Sequence, residues 1–180
     1  MEEPLWYAQV IEAIFIKGLG HRRTAEVDRL LAAEGIHLDK LLPGYPVAQV
    51  VRAMRKVLPL LYPGLDEDAA LARLGAASMR GYSETLIGRA AVAVLKVVGV
   101  RRALERLHTS MRSGNNFLET KFTALSPSSA ELHLSDVSGI PAFYRGLLEE
   151  GLRMLGARHA EMKDGAAKPP GHTFIASWSA

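Results

Sequence analysis

The segment RSGNNFLETKF, from Arg112 to Phe122, combines charged and amide side chains between a predicted helix and a predicted strand. Glycine followed by asparagine suits the last turn of a helix, because both tolerate positive φ and asparagine hydrogen-bonds the local backbone. That role explains Asn115 more easily than Asn116. Arg112 and Glu119 add charge where two halves of the chain meet, and such junctions commonly bind small ligands. We interpret the segment as a structural corner, with a polar rim beside a ligand pocket as the alternative.

A second polar cluster stands at the start of an otherwise apolar helix and comprises Tyr82, Ser83, Thr85 and Arg89. Ser83 is suited to cap that helix. Thr85 and Arg89 are one turn apart, so their side chains can meet, and an arginine beside a buried helix can bind a carboxylate. We favour a simpler interpretation, a cap with an intramolecular salt bridge or carbonyl contact. We include Tyr82, Thr85 and Arg89 among the candidate ligand-binding residues.

His108 is the histidine that shares a predicted apolar helix face, with Leu104, Leu107 and Met111. An axial haem ligand has this setting, and so does a core histidine that is hydrogen-bonded to a neighbour. We favour the core histidine and retain His108 as a candidate ligand-binding residue. No two of the six histidines are three to five residues apart, so the sequence predicts no metal site.

The residue types that most often announce catalysis are missing or badly spaced. The chain has no cysteine, and it contains no phosphate-binding glycine loop, nucleophile elbow or HExxH zinc motif. The acids cluster at a helix start, at Asp66, or beside basic residues at four-residue spacing, as Glu149 does with Arg145 and Arg153. Two catalytic carboxylates would have to face each other across a cleft. We therefore predict no catalytic residues and a protein that is not an enzyme.

The composition is that of an ordinary globular protein, with 180 residues, 48% hydrophobic residues and a formal net charge of +3. Both signs of charge are mixed along the chain, which does not favour nucleic acid as a partner. The longest apolar run contains Lys96 and is far shorter than the roughly 20 residues of a membrane span. The sequence opens with acidic residues and no signal-peptide pattern. We expect a cytoplasmic protein without membrane insertion.

The first 113 residues predict a layer of helices separated by glycine and proline. Val10–Leu19 is an apolar segment that favours a helix, with a short strand as the alternative. Thr24 and Asp66 are placed to cap two further helices. The helix that spans Leu86–Val98 is apolar on nearly every side, so we predict that it is central and covered nearly all round.

Residues 114–180 predict a smaller part that contains a sheet. FLETKFTAL and AELHLSDV alternate apolar and polar residues and predict an antiparallel hairpin. A helix follows Pro141, and two closing strands, RHAEMK and HTFIASW, flank a predicted loop, DGAAKPPG. The layout predicts an α+β fold in one domain, residues 1–180, with a helical part (1–113) and an α/β part (114–180) that consists of hairpin, helix and two strands.

Three long segments carry a family resemblance: YPGLDEDAALARLGAASMRGYSETLIGRAAVAVL, VRRALERLHTSMRSGNNFLETKFTAL and IPAFYRGLLEEGLRMLGAR. They closely resemble an uncharacterised family of paralogous proteins from myxobacteria, over nearly the whole chain, from about Val10 to Trp178. The most specific parts are GRAAVAVL, with Thr85 before it, and RSGNNFLET. This resemblance implies localisation and fold rather than a reaction.

The order of helices, hairpin, helix and strands is also similar to the fold of haem nitric-oxide/oxygen sensors, vinyl-reductase-type ligand-binding domains and transport-particle (TRAPP) subunits. In the haem sensors, a histidine before the hairpin ligates iron and a Tyr-x-Ser-x-Arg motif holds the propionates. Alignment on SGNN places that ligand near Leu104 or Glu105 rather than His108, and the motif does not occur. The resemblance implies a fold that binds hydrophobic small molecules, and we expect no haem or other cofactor.

Together these patterns predict a non-enzymatic module that binds or senses a small, apolar molecule. A dimerising protein–protein adaptor, with a homodimer or another protein as partner, is the alternative, and a haem-based gas sensor through His108 is the third. The candidate ligand-binding residues are Tyr82, Thr85, Arg89, His108, Arg112, Asn115, Asn116 and Glu119.

Overall fold

The computed structural model describes residues 2–179. In chain order the elements are β1 Leu5–Tyr7, α1 Ala8–Ile11 with a π-helical continuation Glu12–Lys17, a 3₁₀ turn Gly20–Arg22, α2 Ala25–Ala33, β2 Gly44–Pro46, α3 Val47–Leu61, α4 Glu67–Glu84, α5 Leu86–Val98, α6 Val100–Glu105, α7 Leu107–Arg112, β3 Thr120–Ser126, β4 Ser129–Leu134, α8 Pro141–Met154, β5 Arg158–Lys168 and β6 Gly171–Ser179. A helical layer thus precedes a sheet interrupted by one helix. The α+β fold class is confirmed.

The sheet has four antiparallel strands in the order β3-β4-β6-β5. β4 shows the alternation expected of a strand with one covered face, because Ala130, Leu132 and Leu134 are buried and the residues between them are not. The predicted loop between the closing strands is mostly strand. β5 continues to Lys168 and β6 begins at Gly171, so the connection is only two prolines long.

Local capping in the helical layer follows the sequence. Thr24 caps α2 by accepting a hydrogen bond from the Val27 amide at 3.3 Å, and Asp66 caps α4 by accepting one from the Ala69 amide at 2.8 Å. Each side-chain oxygen satisfies an amide that has no partner inside its helix. Both predicted caps are confirmed.

A short strand pair at the N-terminus was not predicted. β1 and β2 pair antiparallel, with Trp6 opposite Tyr45, and both side chains are buried. Trp6 also forms an isolated bridge with Asn115, and the Tyr7 amide donates to the Gly114 carbonyl at 2.9 Å. Three-residue strands carry too little alternation to be recognised in a sequence. Their effect is to fasten the N-terminus to the corner that follows α7.

Helices α4 and α8 approach each other unusually closely, and glycine makes the approach possible. A Cβ atom placed on Gly75 would lie 2.0 Å from the Phe143 carbonyl oxygen, and one on Gly146 would lie 1.9 Å from the Ala72 carbonyl oxygen. Both distances are far inside van der Waals contact. The backbones therefore touch, and any side chain at either position would have to separate the helices.

The prediction that α5 is central and covered nearly all round is wrong. Only Gly88 and Val92 of this helix are buried, whereas Leu86 is 79% exposed and Val97 is 87% exposed. Apolar residues on two opposite faces give the same hydrophobic pattern as a fully buried helix. In α5, however, one apolar face borders the interior and the other faces outward. Within residues 2–179, no helix combines the length and apolar character that a membrane crossing requires.

Candidate functional site

A cavity of about 170 Å³ lies between α5 and the rest of the helical layer. Met79 and Tyr82 of α4 line one side, Ala91, Val92 and Leu95 of α5 line the opposite side, and α8 contributes residues along most of its length. The rest of the wall comes from β1, α1 and its π-helical continuation, α6, α7 and the corner that follows α7. Among residues 2–179, no Asp, Glu, Lys, Arg or His takes part in the lining. Such a space suits an uncharged, mostly apolar molecule.

The lining contains a few polar groups, and four of them belong to buried residues: Trp6, Ser78, Asn115 and Tyr144. Tyr144 stands out, because its hydroxyl is buried and no group within residues 2–179 hydrogen-bonds to it. Burial is the main cause that raises the pKa of Tyr144 above its ordinary value. The Asp136 carboxylate acts in the same direction and the nearby Trp6 indole opposes it, although the indole does not meet hydrogen-bonding geometry. The hydroxyl therefore stays protonated in the folded protein.

Asn115 both fastens the corner and borders the cavity. Its amide nitrogen donates to the Met111 carbonyl at 2.8 Å, which ties off the end of α7. Its side-chain oxygen accepts from the amides of Phe117 at 3.1 Å and Leu118 at 2.7 Å. Through these three hydrogen bonds the Asn115 side chain pairs with backbone groups at and beyond the end of α7.

Asn116, Arg112 and Glu119 lie outside the cavity lining. The Asn116 side chain accepts from the Leu5 amide at 2.7 Å and donates to the Glu3 carbonyl at 3.0 Å, so it holds the N-terminal segment. Arg112 is exposed and donates to the Asn116 carbonyl at 3.3 Å. Glu119 is exposed. The structure therefore brings Asn115 to the cavity and leaves the other three on its outside.

The residues of the second predicted polar cluster do not form one site. The Thr85 hydroxyl accepts from the Gly88 amide at 3.0 Å and donates to the Tyr82 carbonyl at 2.8 Å, so Thr85 rather than Ser83 caps α5. Ser83 belongs to α4, which continues to Glu84, and the predicted cap at Ser83 is wrong. Arg89 is exposed and makes no side-chain hydrogen bond with Thr85 within the described chain. Tyr82 lines the cavity.

His108 is exposed, so the prediction of a core histidine is wrong. The predicted single helix is broken at Arg106, where α6 ends and α7 begins, and the break changes the helical phase. Leu104 consequently stays buried while His108 turns outward, where its Nδ1 accepts from the Thr120 amide at 3.5 Å. His108 does not line the cavity.

Sequence reasoning missed Trp6, Ser78 and Tyr144 as residues of this site. Tyr144 was recognisable in principle, because it shares four-residue spacing with the buried Leu148 and Leu152 of α8. Ser78 had the same kind of signal, four residues after the buried Leu74 of α4. Trp6 gave none, since long-range contacts bring it to the cavity. Across residues 2–179, no three His, Asp or Glu side chains converge in a way that would hold a metal ion.

The chain has the fold of H-NOX domains. It is similar to an oxygen-binding H-NOX domain related to soluble guanylate cyclases, with 15% identity, a TM-score of 0.69 and coverage of 96% of this chain and 95% of that one. An H-NOX structure from work on haem distortion gives 14% identity, a TM-score of 0.69 and coverage of 97% and 95%. A mutant H-NOX protein from K. algicida is 14% identical, with a TM-score of 0.63 and coverage of 94% of this chain and 96% of that one.

The predicted similarity to the haem-sensor fold is thereby confirmed at the level of fold. No curated protein matches the chain. A family model described as "Protein of unknown function (DUF2378)" matches residues 5–179, almost the entire length. The chain therefore belongs to the DUF2378 family of proteins of unknown function.

Proposed function

We propose that this protein is a non-catalytic module that binds a small, mostly apolar molecule in the cavity beneath α5. The main support is the cavity itself, which has a volume of about 170 Å³ and no charged side chain in its lining within residues 2–179. An apolar cavity of about 150 Å³ is known to bind benzene. A ligand of about that size, or a little larger, fits the volume.

The lining also supports a binding role rather than catalysis. General acid–base chemistry uses titratable groups at the reacting atoms, most often histidine or a carboxylate. Among residues 2–179 the lining offers neither, and its hydroxyl of lowest exposure belongs to Tyr144, whose pKa is raised by burial. Similarity to an oxygen-binding H-NOX domain is consistent with a fold that holds small molecules in its interior.

Haem does not fit this cavity as its residues stand. The third alternative, a haem sensor through His108, needs an imidazole at the site, and within residues 2–179 no histidine lines it. The volume also corresponds to a single aromatic ring rather than to the four pyrrole rings of a porphyrin. We therefore propose no haem-dependent function.

Filling the cavity is expected to abolish ligand binding. Ala91→Phe directs a phenyl group from the inner face of α5 into a space of about one ring, so a second ring is excluded by volume. Isothermal titration calorimetry with ethylbenzene should show binding to the wild type and at least a tenfold weaker affinity for A91F. Native mass spectrometry of the wild type would show a co-purified ligand directly.

Ala93→Phe is the matched control for this experiment. Ala93 lies on the same helix but is exposed and does not line the cavity, so A93F should bind ethylbenzene as the wild type does. Unchanged affinity in A91F would contradict a binding cavity beneath α5.

The outer face of α5 favours a second candidate function, that of a dimerising adaptor. Leu86, Ala90, Ala93, Val94 and Val97 are exposed and share one side of the helix. We propose a second copy of the chain as the occupant, because a twofold interface places the same patch on both subunits and an uncharged aliphatic stripe is complementary to itself. The two alanines would let the paired helices approach closely.

Leu86→Asp is expected to weaken this dimer. The substitution places a charge in the stripe that two copies would desolvate together, at a site that is 79% exposed in the single chain. Sedimentation equilibrium at micromolar concentration should show self-association of the wild type and a monomer for L86D. Leu125→Asp is the control, since Leu125 is also exposed but belongs to β3. A wild type that remains monomeric would exclude the homodimer.

A further inference from the structure

The hydroxyl of Tyr144 is the buried polar group of the cavity region that the protein leaves unsatisfied. Tyr144 is 2% exposed, it belongs to the lining, and within residues 2–179 its hydroxyl has no hydrogen-bond partner. Buried hydroxyls almost always have one, because an unpaired group loses its hydration without compensation. The hydroxyl itself has almost no accessible surface in the empty cavity, so a bound molecule would reach it through a small movement of the Tyr144 side chain.

The neighbours of this hydroxyl define which partner is missing. The Trp6 indole is a hydrogen-bond donor only, so it cannot accept the tyrosine proton. The Asp136 carboxylate is near enough to raise the pKa of Tyr144, but it accepts no hydrogen bond from the hydroxyl, and its Oδ1 accepts from the amide and hydroxyl of Ser138. A protonated hydroxyl can both donate and accept, and the Trp6 indole beside it can serve only the accepting side, so the capacity that neither neighbour can use is that of the O–H donor. The missing partner is therefore a hydrogen-bond acceptor.

The charge of that acceptor follows from the rest of the lining. No Lys, Arg or His within residues 2–179 borders the cavity, so a carboxylate or phosphate would enter without a counter-ion. An unpaired anion in such surroundings is far more costly than a neutral polar group. The acceptor that suits the site is uncharged, as in a ketone, an ester or an ether.

We propose that the cavity binds an apolar molecule carrying one neutral oxygen acceptor, and that the hydroxyl of Tyr144 donates a hydrogen bond to it. This inference rests on the proposed ligand-binding function and specifies its ligand class. The apolar wall supplies most of the affinity by burial, and Tyr144 selects among molecules of similar size and shape.

The test compares two probes that differ at one position, ethylbenzene and acetophenone, in which a carbonyl replaces the methylene next to the ring. Wild-type protein should bind acetophenone about tenfold more tightly than Tyr144→Phe does, which is the size of effect expected for one buried hydrogen bond. Ethylbenzene should bind both proteins equally, because it has no acceptor. The substitution removes only an unpartnered oxygen, so Y144F should fold at least as stably as the wild type.

Tyr45→Phe is the control for loss of a buried tyrosine hydroxyl. Tyr45 is also buried, but its hydroxyl accepts from the Leu42 amide at 2.8 Å and it does not line the cavity. Y45F should lose some stability and keep the binding ratio of the two probes.

The infrared carbonyl stretch of bound acetophenone gives a second measurement that does not depend on affinity. It should lie at lower frequency in the wild type than in Y144F. Equal acetophenone affinity and an equal carbonyl stretch in the two proteins would overturn the role of Tyr144. A bound water that satisfies the hydroxyl would give this result. Binding of ethylbenzene would then still support the cavity as a binding site. Failure of both probes to bind the wild type would instead overturn the proposed function.

Discussion

Gly146→Ala is expected to lower the free energy of unfolding by about 3 kcal/mol or more, an effect at the upper end of overpacking substitutions. The new methyl group would lie 1.9 Å from the Ala72 carbonyl oxygen, so α4 and α8 must separate. In an isolated helix the same change is favourable by roughly 1 kcal/mol, so the loss would come from the contact between the helices. Urea unfolding followed by circular dichroism measures it.

Gly151→Ala, on the same helix, provides the control. A Cβ atom at Gly151 would lie 3.9 Å from the Met79 side chain, which is ordinary contact distance. This variant should therefore be as stable as the wild type or gain up to about 1 kcal/mol from helix propensity. If both alanine variants were equally stable, the close backbone contact between α4 and α8 would be incorrect.

Asn115→Ala is expected to cost about 3 kcal/mol of stability, since it removes three hydrogen bonds at a buried corner. The Leu118 amide is buried and would lose its acceptor altogether, while the Met111 carbonyl would lose one donor and keep the Gly114 amide. The same urea titration measures the loss. Hydrogen exchange of the Leu118 amide should also accelerate, because that amide would no longer be held.

Asn116→Ala tests whether the two neighbouring asparagines have different importance. Asn116 is only partly buried and its two side-chain hydrogen bonds reach the N-terminal segment, so we expect a loss of about 1 kcal/mol. Equal losses in the two variants would mean that the corner does not depend on Asn115 more than on Asn116.

The elements whose signals are local were predictable from the sequence. Thr24 and Asp66 cap the helices that they precede, and the alternating pattern of β4 marks a strand with one buried face. α5 was not placed correctly, because hydrophobic periodicity reports how apolar a face is and not what covers it. Pattern alone cannot distinguish a buried helix from one with a cavity on one side and an open face on the other.

Only two of the candidate ligand-binding residues line the cavity. Asn115 and Tyr82 were chosen for their polar neighbourhood and lie on the cavity, whereas Arg89, Arg112, Asn116, Glu119 and His108 lie outside its lining and Thr85 is a cap. The lining is assembled from helices far apart in the chain, and no local spacing encodes that convergence. Tyr144 is conspicuous because of a missing partner, which is a property of three-dimensional surroundings.

α5 also determines how the two proposed activities would relate to each other. One wall of the cavity and the exposed stripe are opposite sides of a single helix that buries only Gly88 and Val92. A molecule that shifts or steadies the inner side therefore acts on the outer side without any relay through the core. By thermodynamic reciprocity, if occupancy of the cavity strengthens self-association, self-association strengthens occupancy by the same factor. Such a protein would respond to its own concentration as well as to its ligand.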